Sequence, residues 1–322
     1  MYNILITSAG QRVSLVRAFQ QEVKKINLDA KVYTVDLNPR LAPACHVSDG
    51  YKQVKYVTEE NYIEELLQIC LDWKIQLLIP TIDTELLVLA ANKQLFLENG
   101  IVPIVSSLDF VQKCRDKRIT KQFFKENNID SPKDIDKSNP VFPLFIKPYD
   151  GSLSKDTFLI RKASELTDYH FQNPKFMFME YIDHNQFEEY TVDTYYNKYN
   201  ELKCIVPRKR ILVRSGEVNK GVTDKNEIVT YVKKHLSEIK GAVGCLTMQF
   251  FFHPATKKIV GIEINPRFGG GFPLSYLSGA NYPLWLIKEY LLDEEIPFFM
   301  DWEDKMLMLR YDDEVIIHNY NG

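Results

Sequence analysis

The sequence is poor in the residues that hold small secreted proteins together. Its five cysteines are odd in number and never spaced C-x-x-C, which argues against a disulfide framework and a zinc ribbon. The six histidines form no H-x-x-H or H-x-x-x-H pair, so no zinc site is expected. No apolar run reaches the roughly 18 residues of a membrane span, and residues 1–7 lack the basic segment of a signal peptide. We therefore expect a cytoplasmic protein with reduced cysteines and no membrane contact.

A strong excess of charge of one sign is also missing. The chain has 40 basic and 43 acidic side chains, a net charge of −3, which gives no long-range attraction to nucleic acid or anionic lipid. Its 322 residues, 45% of them hydrophobic, are enough for about two or three domains with proper cores. We therefore expect small-molecule partners that are recognised by a few local groups, and no nucleic acid.

The first hundred residues alternate short aliphatic runs with helical patterns. Four buried strands are predicted, at residues 4–7, 32–35, 77–80 and 101–105. Helices are predicted between them, over residues 13–25, 61–73 and 85–99, with Gly100 as the stop. This alternation is typical of a parallel, doubly wound sheet and predicts an α/β domain over residues 1–107.

The turn after the first strand permits a second interpretation. Gly10 follows that strand and Asp36 ends the next, as in a dinucleotide-binding fold, but the other glycines of G-x-G-x-x-G are missing. An ordinary strand-to-helix turn and a nicotinamide site both remain open. Further polar residues at strand ends, without an assigned role, are Arg12, Asp83 and Glu85.

The remainder of the chain has an α+β pattern. Ser107 and Asp116 are good N-caps for two helices, and residues 144–265 contain mostly strands. A helix is predicted over residues 283–292. The apolar segments at residues 306–309 and 315–317 predict a closing hairpin.

A hairpin near residue 256 carries the most informative polar residues. If it centres on Thr256, Gln249 lies opposite Glu263. Alternation puts Glu263 and Asn265 on one face, roughly 6.5–7 Å apart. One carboxylate and two amide oxygens suit Mg²⁺, although solvated polar positions would give the same pattern. Pro266 ends the strand, and Arg267 leads into a glycine-rich segment that a ligand can approach closely.

The segment Glu263-Ile264-Asn265-Pro266-Arg267 resembles the E-x-N-P-R signature of the ATP-grasp superfamily, and the spacing to Gln249 fits too. The sequence is most similar to one ATP-grasp unit of the carbamoyl-phosphate synthase large subunit, over nearly the whole chain. The resemblance implies an α/β pre-ATP-grasp domain (1–107) and a two-lobed, α+β ATP-grasp domain (108–300). Its flap lobe covers about 113–179 and its metal-site lobe about 180–300, with the hairpin of residues 301–322 packed on them.

The resemblance also implies roles for the charged residues. Gln249, Glu263 and Asn265 would hold two Mg²⁺ ions, with Mn²⁺ as an alternative, and Arg267 would stabilise the transferred phosphoryl group. The catalytic residues would be Arg267, Lys147 and Asn265. Lys147 interrupts an apolar strand and so needs an anionic partner, and a cation such as Lys117 is disfavoured in the first turn of a helix. ATP phosphates would explain both lysines.

The other implied nucleotide contacts lie in three segments. The flap of residues 149–156 would meet phosphate through Ser152 and Ser154, although it is poorer in glycine than the family pattern. Adenine would bind the backbone at Glu180, Tyr181 and Ile182. Glu189 would hold the ribose, with Glu188 as the alternative.

The densest basic cluster contains Arg208 and Arg210, which alternation places on one face. A pair directed at a small anion, a nucleic-acid patch and a solvated face are three interpretations that stay open. In the family this segment lines the acceptor site, so Arg208, Arg210 and Arg267 are the candidate substrate residues.

These observations predict an ATP- and Mg²⁺-dependent ligase. It would activate a carboxylate, or bicarbonate, as an acyl-phosphate that an amine or ammonia then attacks, in the manner of carbamoyl-phosphate synthase. The glycine-poor flap leaves a regulatory nucleotide-binding module as an alternative, and an NAD-dependent dehydrogenase is a third. A homodimer or a partner synthase chain also remains open.

Overall fold

The computed structural model describes residues 2–151, 155–214 and 216–320. Its first domain contains a parallel five-stranded sheet in the order β3-β2-β1-β4-β5. The strands are β1 (Asn3–Ile6), β2 (Val32–Asp36), β3 (Tyr51–Gln53), β4 (Ile75–Ile79) and β5 (Val102–Pro103). The helices around it are α1 (Val13–Lys25), α2 (Pro43–Val47), α3 (Tyr62–Asp72), α4 (Asp83–Ala91) and α5 (Lys93–Glu98).

One predicted helix of this domain is wrong in its extent. The segment 85–99 forms α4 and α5, since Asn92 leaves helical geometry and is both the C-cap of α4 and the N-cap of α5. The Asn92 side chain donates a hydrogen bond of 2.9 Å back to the Val88 carbonyl, which satisfies an acceptor at the end of α4. Gly100, with φ of +73°, ends α5 as predicted.

The central strands of the parallel sheet are buried on both faces. Ile4 and Ile6 point into a core with α1 that continues into the second half of the chain, where it includes Tyr282 and Trp302. Leu5 points to the opposite core, which α3 and α4 cover. Helices on both faces explain the continuous aliphatic runs of the sequence, and the shared core fixes the first domain against the second.

Two capped helices connect the first domain to a small antiparallel sheet. The Ser107 hydroxyl accepts from the Phe110 N–H at 3.3 Å, and the Asp116 carboxylate accepts from the Arg118 N–H at 2.9 Å, as the predicted N-caps require. The sheet has the order β7-β6-β8. The elements of this region are α6 (Leu108–Arg115), α7 (Lys117–Glu126), β6 (Leu144–Pro148), β7 (Phe158–Ile160), α8 (Asp168–Gln172) and β8 (Phe176–Glu180).

The larger antiparallel sheet has six strands in the order β13-β12-β9-β10-β11-β14. Its strands are β9 (Glu188–Tyr196), β10 (Leu202–Arg214), β11 (Glu217–Thr223), β12 (Gly244–Phe252), β13 (Ile259–Asn265) and β14 (Leu307–Leu309). Its helices are α9 (Glu227–His235), α10 (Phe272–Leu277) and α11 (Tyr282–Leu291). The predicted order, α/β first and α+β second, is confirmed.

The predicted closing hairpin is wrong. Only β14 forms from it, and this strand pairs antiparallel with β11, with Met308 opposite Gly221. Residues 315–317 belong to no strand of the described structure. An isolated two-stranded hairpin is marginal in water, whereas the edge of β11 offers the tail a preformed row of hydrogen-bonding groups.

All five cysteines are free, as expected, and four of them are buried. Within the described ranges, no helix combines the length and the apolar composition needed to cross a membrane.

Candidate active site

A cavity of about 610 Å³ lies between the parallel domain and the two antiparallel sheets. With Glu188, the alternative to Glu189, left aside, the described candidates for nucleotide, metal or substrate line it: Lys117, Lys147, Glu180, Tyr181, Ile182, Glu189, Arg208, Arg210, Gln249, Glu263, Asn265 and Arg267. Ser152 and Ser154 lie outside the described residues. The fold therefore brings together side chains that are up to 150 positions apart in the sequence.

The strand register places the three oxygen-bearing side chains as predicted. Gln249 on β12 is paired with Glu263 on β13. Asn265 lies two positions further along β13, on the same face as Glu263, and is paired with Thr247 of β12. On the other side of β12, Gln249 is paired with Thr191 of β9. Neighbouring strands of one sheet thus present Gln249, Glu263 and Asn265 to the same cavity.

Glu263 is the central acidic group of this face. The Asn265 side-chain amide donates to Glu263 Oε1 at 3.1 Å, and Lys117 Nζ lies 3.7 Å from Oε2. Burial alone would raise the pKa of Glu263, but Lys117, Lys147 and Asn265 outweigh it and the net pKa is lowered. The carboxylate is therefore ionised, as a metal ligand must be.

Lys117 connects helix α7 to the loop that follows β6. Its ammonium donates to the Gly151 carbonyl at 2.6 Å, and its backbone N–H donates to the Tyr149 carbonyl at 2.9 Å. The unfavourable position of this cation at a helix N-terminus is thus offset by an acceptor at the base of the predicted flap.

Lys147 projects from β6 into the cavity and is only 9% exposed. Its pKa is lowered to about 8: burial is the largest cause and Lys117 adds to it, while Glu263 and Glu189 oppose them. A buried ammonium of this kind is favourably placed to bind an anionic ligand.

An apolar recess lies where β8 ends. Phe145, Met179 and Phe251 line the cavity there beside Tyr181 and Ile182. The Glu180 N–H donates a hydrogen bond to the Lys133 carbonyl at 2.8 Å. In the part of the chain that the structure describes, the backbone N–H groups of Tyr181 and Ile182 have no hydrogen-bond partner, so they are free to bind a base edge.

The two neighbouring glutamates of β9 point in different directions. Glu189 lies on the cavity wall, with Oε1 3.2 Å from Arg210 Nε. Glu188 accepts from Lys209 at 2.5 Å and from the Tyr190 hydroxyl at 3.0 Å, away from this cavity. The position favours Glu189 over Glu188 for a contact with the nucleotide.

Arg208 and Arg210 share the cavity, but they are not a free pair of cations. Arg208 is 1% exposed and donates Nε and Nη2 to the Asp193 carboxylate at 2.8 and 3.0 Å. Arg210 donates to the Thr191 hydroxyl at 3.3 Å and to the Gly216 carbonyl at 3.2 Å. Arg208 is therefore not a free cation, because a guanidinium this deeply buried requires an ion pair of its own. The interpretation of the two arginines as a pair directed at a small anion stays a prediction.

Asp193 has no role in the predicted site, yet it organises this wall. Besides Arg208 it accepts from the Thr247 hydroxyl at 3.2 Å and the Ser275 hydroxyl at 2.6 Å, and it is fully buried. It therefore joins β9, β10, β12 and α10. Only the alternation of β9, which puts Asp193 on the face of Glu189, could have indicated it.

Arg267 bridges the two parts of the molecule. Its Nε and Nη2 donate to Asp83 at the start of α4, at 3.1 and 2.7 Å, and Nη1 donates to the Phe268 carbonyl. Burial would lower the pKa of Arg267, but the Asp83 carboxylate more than offsets this and the pKa is raised. This pair spans 184 positions, and no local signal in the sequence could have revealed it.

The remaining strand-end candidates divide into two groups. Arg12 and Asp83 line the cavity. Glu85 accepts from the Tyr62 and Ser8 hydroxyls, and Asp36 accepts from the Gly10 N–H at 2.9 Å, so these two carboxylates stabilise the first turn of the parallel domain.

A parallel α/β domain followed by two antiparallel sheets that line a cavity between them is the ATP-grasp fold, and this chain has it. Two family models match parts of the chain. Residues 4–105 match the PylC-like N-terminal domain, and residues 172–310 match the ATP-grasp family described as belonging to the biosynthetic pathway with Ter operon. The predicted ATP-grasp resemblance is thus confirmed at the level of the superfamily. No curated protein matches the chain.

Solved structures support the same fold. The biotin carboxylase domain of Hydrogenobacter thermophilus 2-oxoglutarate carboxylase is 14% identical, with a TM-score of 0.72 over 95% of this chain and 73% of that one. The Bacillus licheniformis L-amino acid ligase is 16% identical, with a TM-score of 0.65 over 90% and 74%. Rhizobium etli pyruvate carboxylase is 13% identical, with a TM-score of 0.65, and this chain spans only 27% of its length while 87% of this chain is covered.

Proposed function

We propose that the protein is an ATP- and Mg²⁺-dependent ligase that joins a carboxylate to an amine or ammonia through an acyl-phosphate. The observation that carries this proposal is the convergence of Glu263, Gln249 and Asn265 with Lys147 and Arg267 in one cavity. The similar biotin carboxylase domain was solved with MgADP, ADP and bicarbonate, and another similar structure is an L-amino acid ligase. Both support the same class of reaction.

The donor set fits Mg²⁺. An ionised carboxylate with two side-chain amides supplies hard oxygen ligands and leaves positions for phosphate oxygens, as Mg²⁺ sites in ATP-dependent enzymes do. Glu263, Gln249 and Asn265 would hold the metal, which we propose as two ions, and Mn²⁺ takes the same ligands. The bound metal would supply neutralisation of phosphate charge and alignment of the γ-phosphoryl group.

The rest of the cavity offers a candidate partner for each part of ATP. The recess at Tyr181 and Ile182 offers two free N–H groups beside apolar side chains for adenine. Glu189 is placed to accept from the ribose hydroxyls. Lys147 and Lys117 would bind the phosphates, where charge-assisted hydrogen bonds contribute roughly 1.5–3 kcal/mol each.

In the proposed reaction the substrate carboxylate oxygen attacks the γ-phosphorus, the bond to the bridging oxygen of ADP breaks, and ADP leaves. The amine nitrogen then attacks the acyl carbon, a C–N bond forms, the C–O bond to phosphate breaks, and the nitrogen loses a proton. Arg267 stabilises the charge on the transferred phosphoryl group, and Asn265 and Lys147 orient it. The narrower proposal of carbamoyl-phosphate synthase chemistry takes bicarbonate as the carboxylate and ammonia as the amine.

An assay of ADP release from ATP tests the proposal. It contains Mg²⁺ and mixtures of carboxylates, bicarbonate, amines and ammonia. Glu263→Gln should lower turnover at least about tenfold, since it removes the only charged ligand of the proposed metal site. The matched control is Glu294→Gln, which changes a glutamate paired with Lys288 at 2.7 Å on the surface and 48% exposed. Equal turnover of Glu263→Gln and wild type would overturn the assignment.

A further inference from the structure

Two charged side chains lie at the end of the cavity that the parallel domain closes. Arg12 immediately precedes α1, and Glu217 is the first residue of β11. Both line the cavity, together with Asp83 and Arg267. The ATP and metal contacts proposed above use neither Arg12 nor Glu217.

Their geometry is that of a pair left open for a ligand. Arg12 Nη1 lies 3.5 Å from Glu217 Oε1, and the two side chains are 20% and 37% exposed. The neighbouring Arg267–Asp83 pair is closed by contrast, since it is bidentate with its shorter contact at 2.7 Å. Arg12 and Glu217 therefore attract each other without using up their hydrogen-bonding capacity.

The electrostatics leave Arg12 short of negative charge. Burial lowers the pKa of its guanidinium, the nearby cations Arg267 and Arg310 lower it further, and Glu217 and Asp83 only partly compensate. Burial would raise the pKa of Glu217, but Arg12 and Arg310 outweigh this and its pKa is lowered. Arg12 is thus a partly buried cation whose contact with the ionised Glu217 carboxylate is a loose one, at 3.5 Å.

Other parts of the chain hold Glu217 in this position. Arg310, directly after β14, donates Nη1 to Glu217 Oε2 and to the Val218 carbonyl, both at 3.1 Å. A side chain at Gly270 would come within 2.2–2.3 Å of the Glu217 carboxylate and would displace it from this position. Arg310 therefore acts as a positioning residue, and Oε1 remains directed to Arg12.

We propose that Arg12 and Glu217 recognise a substrate with a carboxylate and an ammonium on one carbon, the α-amino-acid group. Arg12 binds its carboxylate and Glu217 binds its ammonium. A dicarboxylate or a phosphate would be repelled by Glu217, and a simple cation by Arg12, so the pair fits a zwitterion best. This inference rests on the proposed ligase function and names the substrate class of the same cavity.

Calorimetric titration of the full chain with the standard amino acids, in the presence of MgADP, tests the inference. Each amino acid is compared with its methyl ester, which lacks the carboxylate charge, and its N-acetyl derivative, which lacks the ammonium. At least one free amino acid should bind, and both of its derivatives should bind at least about tenfold more weakly.

Variants assign the two contacts separately. The Arg12→Gln variant should bind the free amino acid and its methyl ester with equal affinity. The Glu217→Gln variant should bind the free amino acid and its N-acetyl derivative with equal affinity. Arg214→Gln is the matched control, because it changes an arginine that is 65% exposed and paired with Asp312 on the surface. Affinity for MgADP shows that each variant is folded, and Arg310→Gln serves as a second variant that weakens the amine contact without removing either recognition group.

The outcomes separate the inference from the function on which it rests. If MgADP does not bind the wild type, the proposed function fails. If MgADP binds but no amino acid does, or if the variants keep the discrimination of the wild type, the inference is overturned and the nucleotide site stands. If amino acids bind as expected but the separate assay of ADP release from MgATP stays negative with them, the recognition pair stands and the ligase reaction falls.

Discussion

Lys147 shows how one residue couples burial to ligand binding. Its pKa is lowered from 10.5 to about 8, chiefly by burial. Since the unfolded chain then binds more protons between these two values, the free energy of unfolding of the ligand-free protein rises with pH across this window. Bound phosphate has the opposite effect, because an adjacent anion stabilises the ammonium and raises its pKa.

Binding of MgATP should therefore be accompanied by proton uptake above about pH 8, and the affinity should fall as the pH rises further. Calorimetry at about pH 8.5 in buffers of different ionisation enthalpy measures this uptake. The uptake should disappear in Lys147→Met. Binding without proton uptake in the wild type would show that Lys147 does not contact the phosphates.

Asp193 is the second residue whose substitution gives a clear expectation. Asp193→Asn leaves the Arg208 guanidinium buried without a countercharge, so the free energy of unfolding should fall by about 3–5 kcal/mol. Urea denaturation measures the change. Asp293→Asn is the control, because Asp293 is 89% exposed in its pair with Lys198 and should change stability by less than about 1 kcal/mol. Equal effects of the two substitutions would contradict the structural role of Asp193.

At the scale of the elements, the hairpin β12–β13 was predictable because its determinants are local. Alternation and a turn centred on Thr256 are enough to pair Gln249 with Glu263, and the helix caps at Ser107 and Asp116 also follow from neighbouring residues. The tail was not predictable in this way. Whether residues 306–317 pair with one another or with β11 depends on an edge that exists only in the folded sheet.

The contact between α4 and the segment after β13 could not be predicted from the sequence either. Asp83 and Arg267 are each polar residues at the end of an element, and nothing local relates them. The candidate site could thus be predicted where residues act through a spaced motif. It could not be predicted where they act through ion pairs formed between distant segments, as at Asp83 with Arg267 and at Arg12 with Glu217.

Asp83→Asn should lower kcat and leave the Kd for MgADP unchanged, because Asp83 orients Arg267 and does not contact the proposed nucleotide position. The expected decrease in kcat is about tenfold, which corresponds to one weakened charge-assisted hydrogen bond. Asp83→Glu, which keeps the charge, should recover part of the rate. A parallel rise in the Kd for MgADP in both variants would indicate a structural role for Asp83 instead of a positioning role.

At the scale of the whole molecule, the cavity depends on the parallel domain as well as on the antiparallel sheets. The core that contains Ile4 and Ile6 continues to Tyr282 and Trp302, and the Arg267–Asp83 pair closes the cavity above it. The proposed ATP half is thus built by the two antiparallel sheets, and the proposed amino-acid half by the junction with the parallel domain.

The central claim is that Glu263, Gln249 and Asn265 hold a divalent metal on the nucleotide phosphates. Electron paramagnetic resonance of Mn²⁺ titrated into the protein with ADP measures this directly. The account predicts Mn²⁺ binding that requires ADP in the wild type and is weakened at least about tenfold in Glu263→Gln, while ADP alone binds both proteins equally. Equal Mn²⁺ affinity in the two proteins would contradict it.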